Sequence, residues 1–189
     1  NLKTDTPIQV YAVSKKSTEI LAYSYNFQYN IPIVALRFFT VYGPWGRPDM
    51  ALFNFTKKIF EKKKIKKNNN GNHFRDITYI NDIVKKVILV FDKTKVHKKD
   101  LLKNKFSIYN IGNGKPQKLM KFIELIEKEI NLKAKIKYLP SQQGDMIGTH
   151  ADMKKFNKDF KKIKNIPLAK GIKNFINWFK KYYKFDAKR

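Results

Sequence analysis

The chain contains no cysteine, which excludes disulfides, cysteine-ligated zinc, iron–sulfur clusters and thiol catalysis. Arginine is almost as scarce: Arg37, Arg47, Arg75 and Arg189 stand against 37 lysines. Glycine and proline number only eight and seven in 189 residues, so collagen-like and low-complexity architectures are excluded too. No long hydrophobic run occurs. The longest, residues 31–36, falls far short of a membrane span and contains Pro32. No secretory leader opens the chain, which starts at Asn1, so the expected compartment is cytoplasmic, with no membrane partner. What remains is one domain's worth of chain, 42% hydrophobic and 14% aromatic, enough to bury a core.

Acidic residues are also few, 15 against 41 basic ones, giving a formal net charge of +26. Such a charge ordinarily points to nucleic acid or an anionic surface. Here lysine, asparagine and isoleucine together make 75 of the 189 residues, and all three have A/T-rich codons. Base composition therefore accounts for the excess, and a base-reading protein would use more arginine forks. No nucleic-acid partner is expected. The informative residues are the retained arginines, three of which fall between positions 37 and 75.

Hydrophobic periodicity predicts a helix over 11–29, with Ile20, Leu21, Tyr25 and Phe27 on overlapping apolar faces, ended by Asn30-Ile31-Pro32. Residues 33–41 read as a buried parallel strand. Gly43 to Pro48 form a loop, after which Asp49 is expected to cap a helix carrying Leu52, Phe53, Phe55, Ile59 and Phe60. The run EKKKIKKNNNGN (61–72) reads as a solvated turn flanking one short strand. A strand or extended segment follows over 74–80, with a helix capped by Asn81-Asp82 and a polar loop over 94–104. Strands are expected at 106–111 and 134–138. Helices are expected at 119–130 and from 168 to about 183, with a short one capped by Asp152. Strand alternating with helix makes the fold class α/β.

Tyr11 and Lys15 lie one helical turn apart on one face. An ammonium beside a phenol favours the phenolate, which makes a tyrosine usable as a general base near neutral pH. The spacing alone carries little weight. Ten tyrosines among 37 lysines produce about two such pairs by accident. Thr40 stands at the C-terminal end of its strand, where α/β sheets bind ligands, although a β-branched residue there is equally a plain strand former. Arg47, between Gly46 and Pro48, is aimed by a restrained backbone, and its fork matches a carboxylate or a diphosphate. Arg37, inside the strand, fits an ion pair or a backbone contact better than catalysis. Gly112-Asn113-Gly114 imitates a dinucleotide fingerprint, but position 117 is Gln and no acidic residue closes the unit, so it reads as a decoy turn. His73, His97 and His150 show no metal-ligand spacing, and no metal is expected.

The segments YAVSKKSTE, IVALRFFTVYG, PWGRPDM, HFRDITYINDIV and FSIYNIGN together resemble the extended short-chain dehydrogenase/reductase superfamily. More narrowly the chain is similar to the NAD-dependent nucleotide-sugar epimerases, and most of all to the UDP-glucuronate 4-epimerases. The run LRFFTVYGPWGRPDMALF is the most specific, and the likeness extends through LPSQQGD to the final helix. The resemblance implies a partial doubly wound, Rossmann-type parallel sheet interleaved with a smaller α/β substrate domain. Residues 1–43 and 75–113 then form the back part of the NAD-binding domain, and 44–74 and 114–189 the UDP-sugar domain. It further implies that Tyr11 exchanges a proton with the sugar 4-hydroxyl, while Lys15 holds the nicotinamide ribose and lowers the tyrosine pKa. The C4 hydride passes to NAD and returns to the other face of a 4-keto sugar.

By the same likeness Thr40 faces the sugar and serves a uronate carboxylate. Arg47 and Arg75 bind the anionic substrate, the latter at its diphosphate, and Gln142 and Asp145 contact diphosphate or ribose. Phe53 and Thr56 approach the nucleotide. The implied product is UDP-galacturonate for polysaccharide, and the intact enzyme is implied to be a homodimer. Other UDP-sugar epimerases or dehydratases of the superfamily, and a non-catalytic basic nucleic-acid-binding protein, are the alternatives. The family's glycine-rich phosphate turn and its catalytic serine or threonine have no counterpart here, so the chain reads as a C-terminal fragment whose cofactor half is missing. On that expectation the isolated chain is inactive and binds NAD weakly or not at all. Titration with the dinucleotide checks this, and micromolar affinity would contradict it.

Overall fold

The first helix ends where its sequence stops favouring right-handed backbone: Asn30 adopts φ 56°, and the Asn26 side chain bonds the Ile31 carbonyl at 2.7 Å. This is α1 (Val10–Tyr29), seen in the computed structural model, which describes residues 5–96, 106–141 and 146–185. It meets the sheet through a polar contact beside an edge-to-face contact of Tyr23 with Phe106. Glu19 takes a fork of two bonds from Arg37, 2.5 and 2.6 Å, and thereby pins α1 to the strand beside it. The bond from Arg37 holds the Glu19 carboxyl below its usual value, against an opposing effect of burial. Arg37 is thus an ion-pair residue, as its place in the strand predicts. The helix's apolar residues stay largely at the surface, and Phe27 is 80% exposed. Periodicity foretells such a face but not what covers it.

The apolar run over 33–41 is two strands, not one. β1 (Ile33–Phe38) pairs in parallel with β6 (Phe106–Ile111), from Ile33 opposite Phe106 to Phe38 opposite Ile111. The Phe39 N–H still reaches the Ile111 carbonyl at 3.0 Å, and β6 then ends. β2 (Thr40–Tyr42) continues with a new parallel partner, β5 (Ile77–Tyr79), Thr40 standing opposite Ile77. Contrary to the expectation of a buried strand, β1 is only half-buried, and its described pairing is with β6 alone.

Two further pairs complete the described strands. β3 (Lys64–Lys67) runs parallel to β8 (Lys135–Tyr138), and the two-residue β4 (Phe74–Arg75) runs antiparallel to β7 (Gln117–Lys118). The lysine-rich segment is therefore less solvated than its composition predicts: Ile65 and Lys67 are buried and Lys64 and Lys66 exposed, the period-two pattern of a strand with one face inward.

Helices α2 (Ala51–Phe60), α4 (Leu119–Ile130) and α6 (Leu168–Tyr183) contribute Phe53, Phe55, Ile59, Phe122, Ile123, Ile126, Phe175 and Phe179 to one apolar cluster with β2, β3 and β5. A second cluster joins α3 (Ile80–Val96), β6 and the short α5 (Lys154–Asp159) through Ile83, Val90, Tyr109, Ile111, Phe156 and Phe160. No helix among the described residues is long and apolar enough to cross a membrane.

Two expected caps are corrected. Met50, without a side-chain cap bond, precedes α2, because the Asp49 carboxylate is occupied by Arg47. Asp82 lies inside the first turn of α3 and accepts the Ile166 N–H at 2.7 Å. Asp152 does bond the Lys154 N–H at the start of α5, 2.9 Å. Thr94 belongs to α3 rather than to a loop, and residues 97–105 lie outside the described residues.

Asp76, between β4 and β5, is fully buried. One carboxylate oxygen accepts the Asn113 N–H at 2.8 Å, and the other accepts those of Gly114 and Ala151 at 2.9 and 3.0 Å. The turn after β6 is therefore an anion cradle filled by the protein's own carboxylate, which explains why it imitates a phosphate loop. Gly112 is obligatory, since a Cβ there would meet Ala151 Cβ at 2.5 Å. Replacing Asp76 by Asn puts an amide against one set of these donors. We expect the variant to lose about 2–3 kcal/mol of stability, as two or more charge-assisted bonds weaken. Denaturant unfolding measures this, and an unchanged midpoint would show the cradle to be incidental.

Candidate active site

The switch of strand partners at Phe39 opens the fold just where β2 begins. A cleft of about 220 Å³ lies there, with Thr40, Arg47 and Arg75 all on its wall and Phe53 and Tyr42 beneath them. The carboxyl end of β1 at Phe38 adjoins it, the usual ligand position in α/β sheets, but Thr40 opens β2 rather than ending the longer strand expected from sequence. Thr40 reaches it as the first residue of β2, Arg47 from the Gly43–Pro48 loop, and Arg75 from β4. Three residues chosen from sequence are thus brought to one cavity.

Arg47 is highly exposed, and its fork closes on Asp49 with bonds of 3.0 and 2.5 Å. That bond raises the guanidinium's pKa and depresses the carboxyl's, and the Tyr11 hydroxyl contributes a smaller push on Arg47 in the same direction. Arg75 donates from one nitrogen to the carbonyls of Phe74 and Ile147, 2.9 and 3.1 Å. Its side chain is therefore held in place by backbone, and Arg75 lines the cleft.

Tyr11 and Lys15 occupy the same face of α1, as their spacing predicts. The Lys15 ammonium stands 5.4 Å from the centroid of the Tyr11 ring, and the ring is 69% exposed. Neither side chain lines the cleft itself. The other phenol in the neighbourhood is unsuited to act as a base: burial, then Asp82, pushes the pKa of Tyr42 far up. Its hydroxyl packs where a Cβ on Gly171 would lie, 2.2 Å away, so it holds β2 against α6.

Phe53 serves both core and cleft, being 5% exposed and on the cavity wall. Thr56 is fully buried one turn further along α2, with no hydrogen bond to its hydroxyl among the described residues. Gln142 and Asp145 lie outside the described residues. Sequence reading overlooked Asp76, Tyr42 and Lys67, a buried lysine on the inward side of β3. The one signal for Lys67 was alternation in KIKK, where every second residue turns inward.

This parallel-stranded α/β arrangement, with a ligand-sized cleft at a change of strand partners, is a Rossmann-like fold of the nucleotide-sugar epimerase type. The chain belongs to the NAD dependent epimerase/dehydratase family, whose description matches residues 1–112. An uncharacterized protein of Methanocaldococcus jannaschii is 46% identical over 177 residues, 94% of this chain and 52% of that protein. The UDP-glucuronate 4-epimerase of Thermodesulfobacterium geofontis is 40% identical over 181 residues, covering 95% of this chain and 53% of the other. Among solved structures, the UDP-glucuronic acid 4-epimerase of Bacillus cereus in complex with UDP-glucuronic acid and NAD aligns with a TM-score of 0.84 at 31% identity, over 94% of this chain and 55% of that one. The chain spans about half the length of the curated relatives it matches.

Because Asp49 competes for the Arg47 fork, an Asp49→Asn variant releases it. We expect inorganic pyrophosphate to bind that variant roughly three-fold more tightly or better, and Arg47→Gln to abolish the gain. Isothermal titration reads both, and equal affinity in all three proteins would remove Arg47 from the site.

Proposed function

We propose that this chain supplies the proton-transfer pair and the substrate-holding residues of an NAD-dependent UDP-glucuronate 4-epimerase, which interconverts UDP-glucuronate and UDP-galacturonate for polysaccharide synthesis. The observation that carries the reading is the cleft that gathers Thr40, Arg47 and Arg75, together with the Tyr11–Lys15 pair on one face of α1. Similarity to UDP-glucuronate 4-epimerases at 40% and 31% identity supports it.

Tyr11 suits a proton carrier because its side chain is exposed rather than locked in the core. In this reading its oxygen takes the proton of the sugar 4-hydroxyl and later returns it. The open face shared by Tyr11 and Lys15 fits a cofactor ribose, with the Lys15 ammonium donating to ribose hydroxyls. NAD, when bound, supplies the hydride acceptor and donor for C4. The Thr40 hydroxyl donates to the C6 carboxylate, a group that distinguishes a uronate from a neutral hexose. Arg47 and Arg75 meet the substrate's anionic groups, Arg75 at the diphosphate. Gln142 and Asp145 would add contacts to diphosphate or ribose. A homodimer and a cytoplasmic setting belong to the same proposal.

The test is a chimera in which residues 1–189 replace the matching part of the Thermodesulfobacterium geofontis enzyme. We expect it to convert UDP-glucuronate, and Tyr11→Phe to lower turnover by about 10³-fold while UDP-sugar affinity stays within about two-fold. Conversion of UDP-glucose in preference to UDP-glucuronate would transfer the proposal to a different sugar. Undiminished turnover in Tyr11→Phe would remove the tyrosine from the chemistry.

A further inference from the structure

The loop that carries Arg47 contains a turn whose sequence conflicts with its shape. The Gly46 N–H reaches the Gly43 carbonyl at 3.2 Å, and Pro44 and Trp45 occupy the two central positions. Trp45 has φ 63°, which with proline before it makes this a type II turn. Glycine or asparagine is at home in the left-handed place of such a turn, whereas a bulky side chain is strained there. Glycine stands at 43 and 46, yet the strained place between them holds tryptophan.

Trp45 does not line the cleft, although the same turn gives Gly43, Gly46 and Arg47 to its wall. Its ring lies against the last turns of α6, with its centroid 5.3 Å from that of Trp178 and 4.9 Å, edge to face, from that of Tyr182. Tyr182 in turn stacks on Trp178 at 5.5 Å, and Trp178 packs on the main apolar cluster. A strained backbone position persists where its surroundings hold it, and here the holding contacts are aromatic. The ring is 72% exposed, so it adds little to the core. The ends of the loop are fixed separately. A Cβ on Gly43 would meet Ile80 Cγ2 at 2.5 Å, and the Met50 N–H bonds the Arg47 carbonyl at 3.1 Å. Between those ends stand the Arg47 fork on Asp49 and the ring contacts of Trp45. A ligand that takes the fork removes it as a restraint, and the ring contacts remain.

We propose that Trp45 is a positioning residue, a clasp on α6 that holds the Gly43–Pro48 loop in its strained turn and so keeps Arg47 presented to a ligand in the cleft. The inference rests on the UDP-sugar reading of that cleft and deepens it: Trp45 touches no substrate and acts through Arg47.

Titration of the 189-residue chain with UDP-glucuronate tests the proposal in the parent, in Trp45→Phe, Trp45→Ala, Trp45→Gly, Tyr182→Ala and Arg47→Gln, and in Trp45→Ala combined with Arg47→Gln. We expect Trp45→Ala, Trp45→Gly and Tyr182→Ala to weaken binding about five-fold or more, and Trp45→Phe to stay within about two-fold of the parent. In the Arg47→Gln background, Trp45→Ala should change affinity by less than about two-fold, since no fork is left to position. The thermal midpoint of Trp45→Ala should stay near the parent's, because the ring is largely outside the core. Glycine is the deciding substitution. It suits φ 63° better than tryptophan does, so full affinity in Trp45→Gly would mean that the turn needs no clasp. Equal losses with and without Arg47, or a Trp45→Ala chain that does not fold, would make Trp45 an ordinary structural residue and overturn the proposal as well. If the parent binds and every Trp45 variant binds equally, only this inference falls; if the parent does not bind UDP-glucuronate, the UDP-sugar reading falls and takes it along. The chain holds two tryptophans, Trp45 and Trp178, so their coupled circular-dichroism signal reads the clasp without any ligand. It should be present in the parent and lost in Trp45→Phe, and its absence from the parent would refute the docking.

Discussion

The position of the cleft depends on one buried carboxylate. Asp76 gathers three backbone N–H groups from two segments distant in sequence, the turn after β6 and the strand-like segment at Ala151. Its own N–H goes to Thr149. Because Asp76 follows Arg75 directly, this knot fixes where β4 ends and β5 begins, and so fixes the root of Arg75 on the cleft wall. An ionised carboxylate in the interior is costly unless its acceptor capacity is filled. Three donors fill it here, and the requirement explains the sequence around it. Gly112 leaves no room for a side chain, and Gly114 adopts φ +71°, so that both following N–H groups can converge on one anion.

A second set of contacts ties the helix that carries Tyr11 and Lys15 to the same sheet. The Arg37 fork on Glu19 joins α1 to β1, while the apolar residues of α1 stay exposed. The ion pair thus acts beside the Tyr23–Phe106 ring contact in holding α1 to the sheet. It also sets direction: a bidentate pair constrains rotation of α1 about its own axis, which a greasy contact would allow. Tyr11 and Lys15, about two turns and one turn before Glu19, inherit that rotation.

Much of the architecture was legible because burial follows periodicity. α4 and α6 begin and end where their apolar spacing predicts, since each presents a single inward stripe of Phe and Ile. The partner switch at Phe39 was hidden, because a run of apolar residues looks the same whether it keeps one neighbour or changes it. The caps expected at Asp49 and Asp82 failed because each carboxylate had a stronger donor at hand, Arg47 in one case and the Ile166 N–H in the other. Lys67 was lost among identical neighbours: composition describes EKKKIKKNNNGN as solvent-facing, and only strand pairing with β8 shows which lysine turns inward. The Tyr11–Lys15 spacing was legible, but every pair four apart on a helix shares a face, so the spacing by itself does not single these two out.

The scarcity of arginine now has a physical reading. In a chain where lysine supplies nearly all positive charge, Arg37 and Arg47 each make a forked contact that a point charge does not reproduce. Arg37 and Arg47 each place two nitrogens on one carboxylate, and Arg75 bonds two backbone carbonyls. The environments of the two forks set their different consequences. Arg37 and Glu19 are shielded by α1 and β1, so exchanging that partner for a ligand would mean breaking the contact that orients the helix. Arg47 and Asp49 are two residues apart in an open loop, where solvent screens their attraction and either can let go without disturbing an element. The same fork is therefore a fastener in one place and an exchangeable arm in the other, and only the second stands on the wall of the cleft.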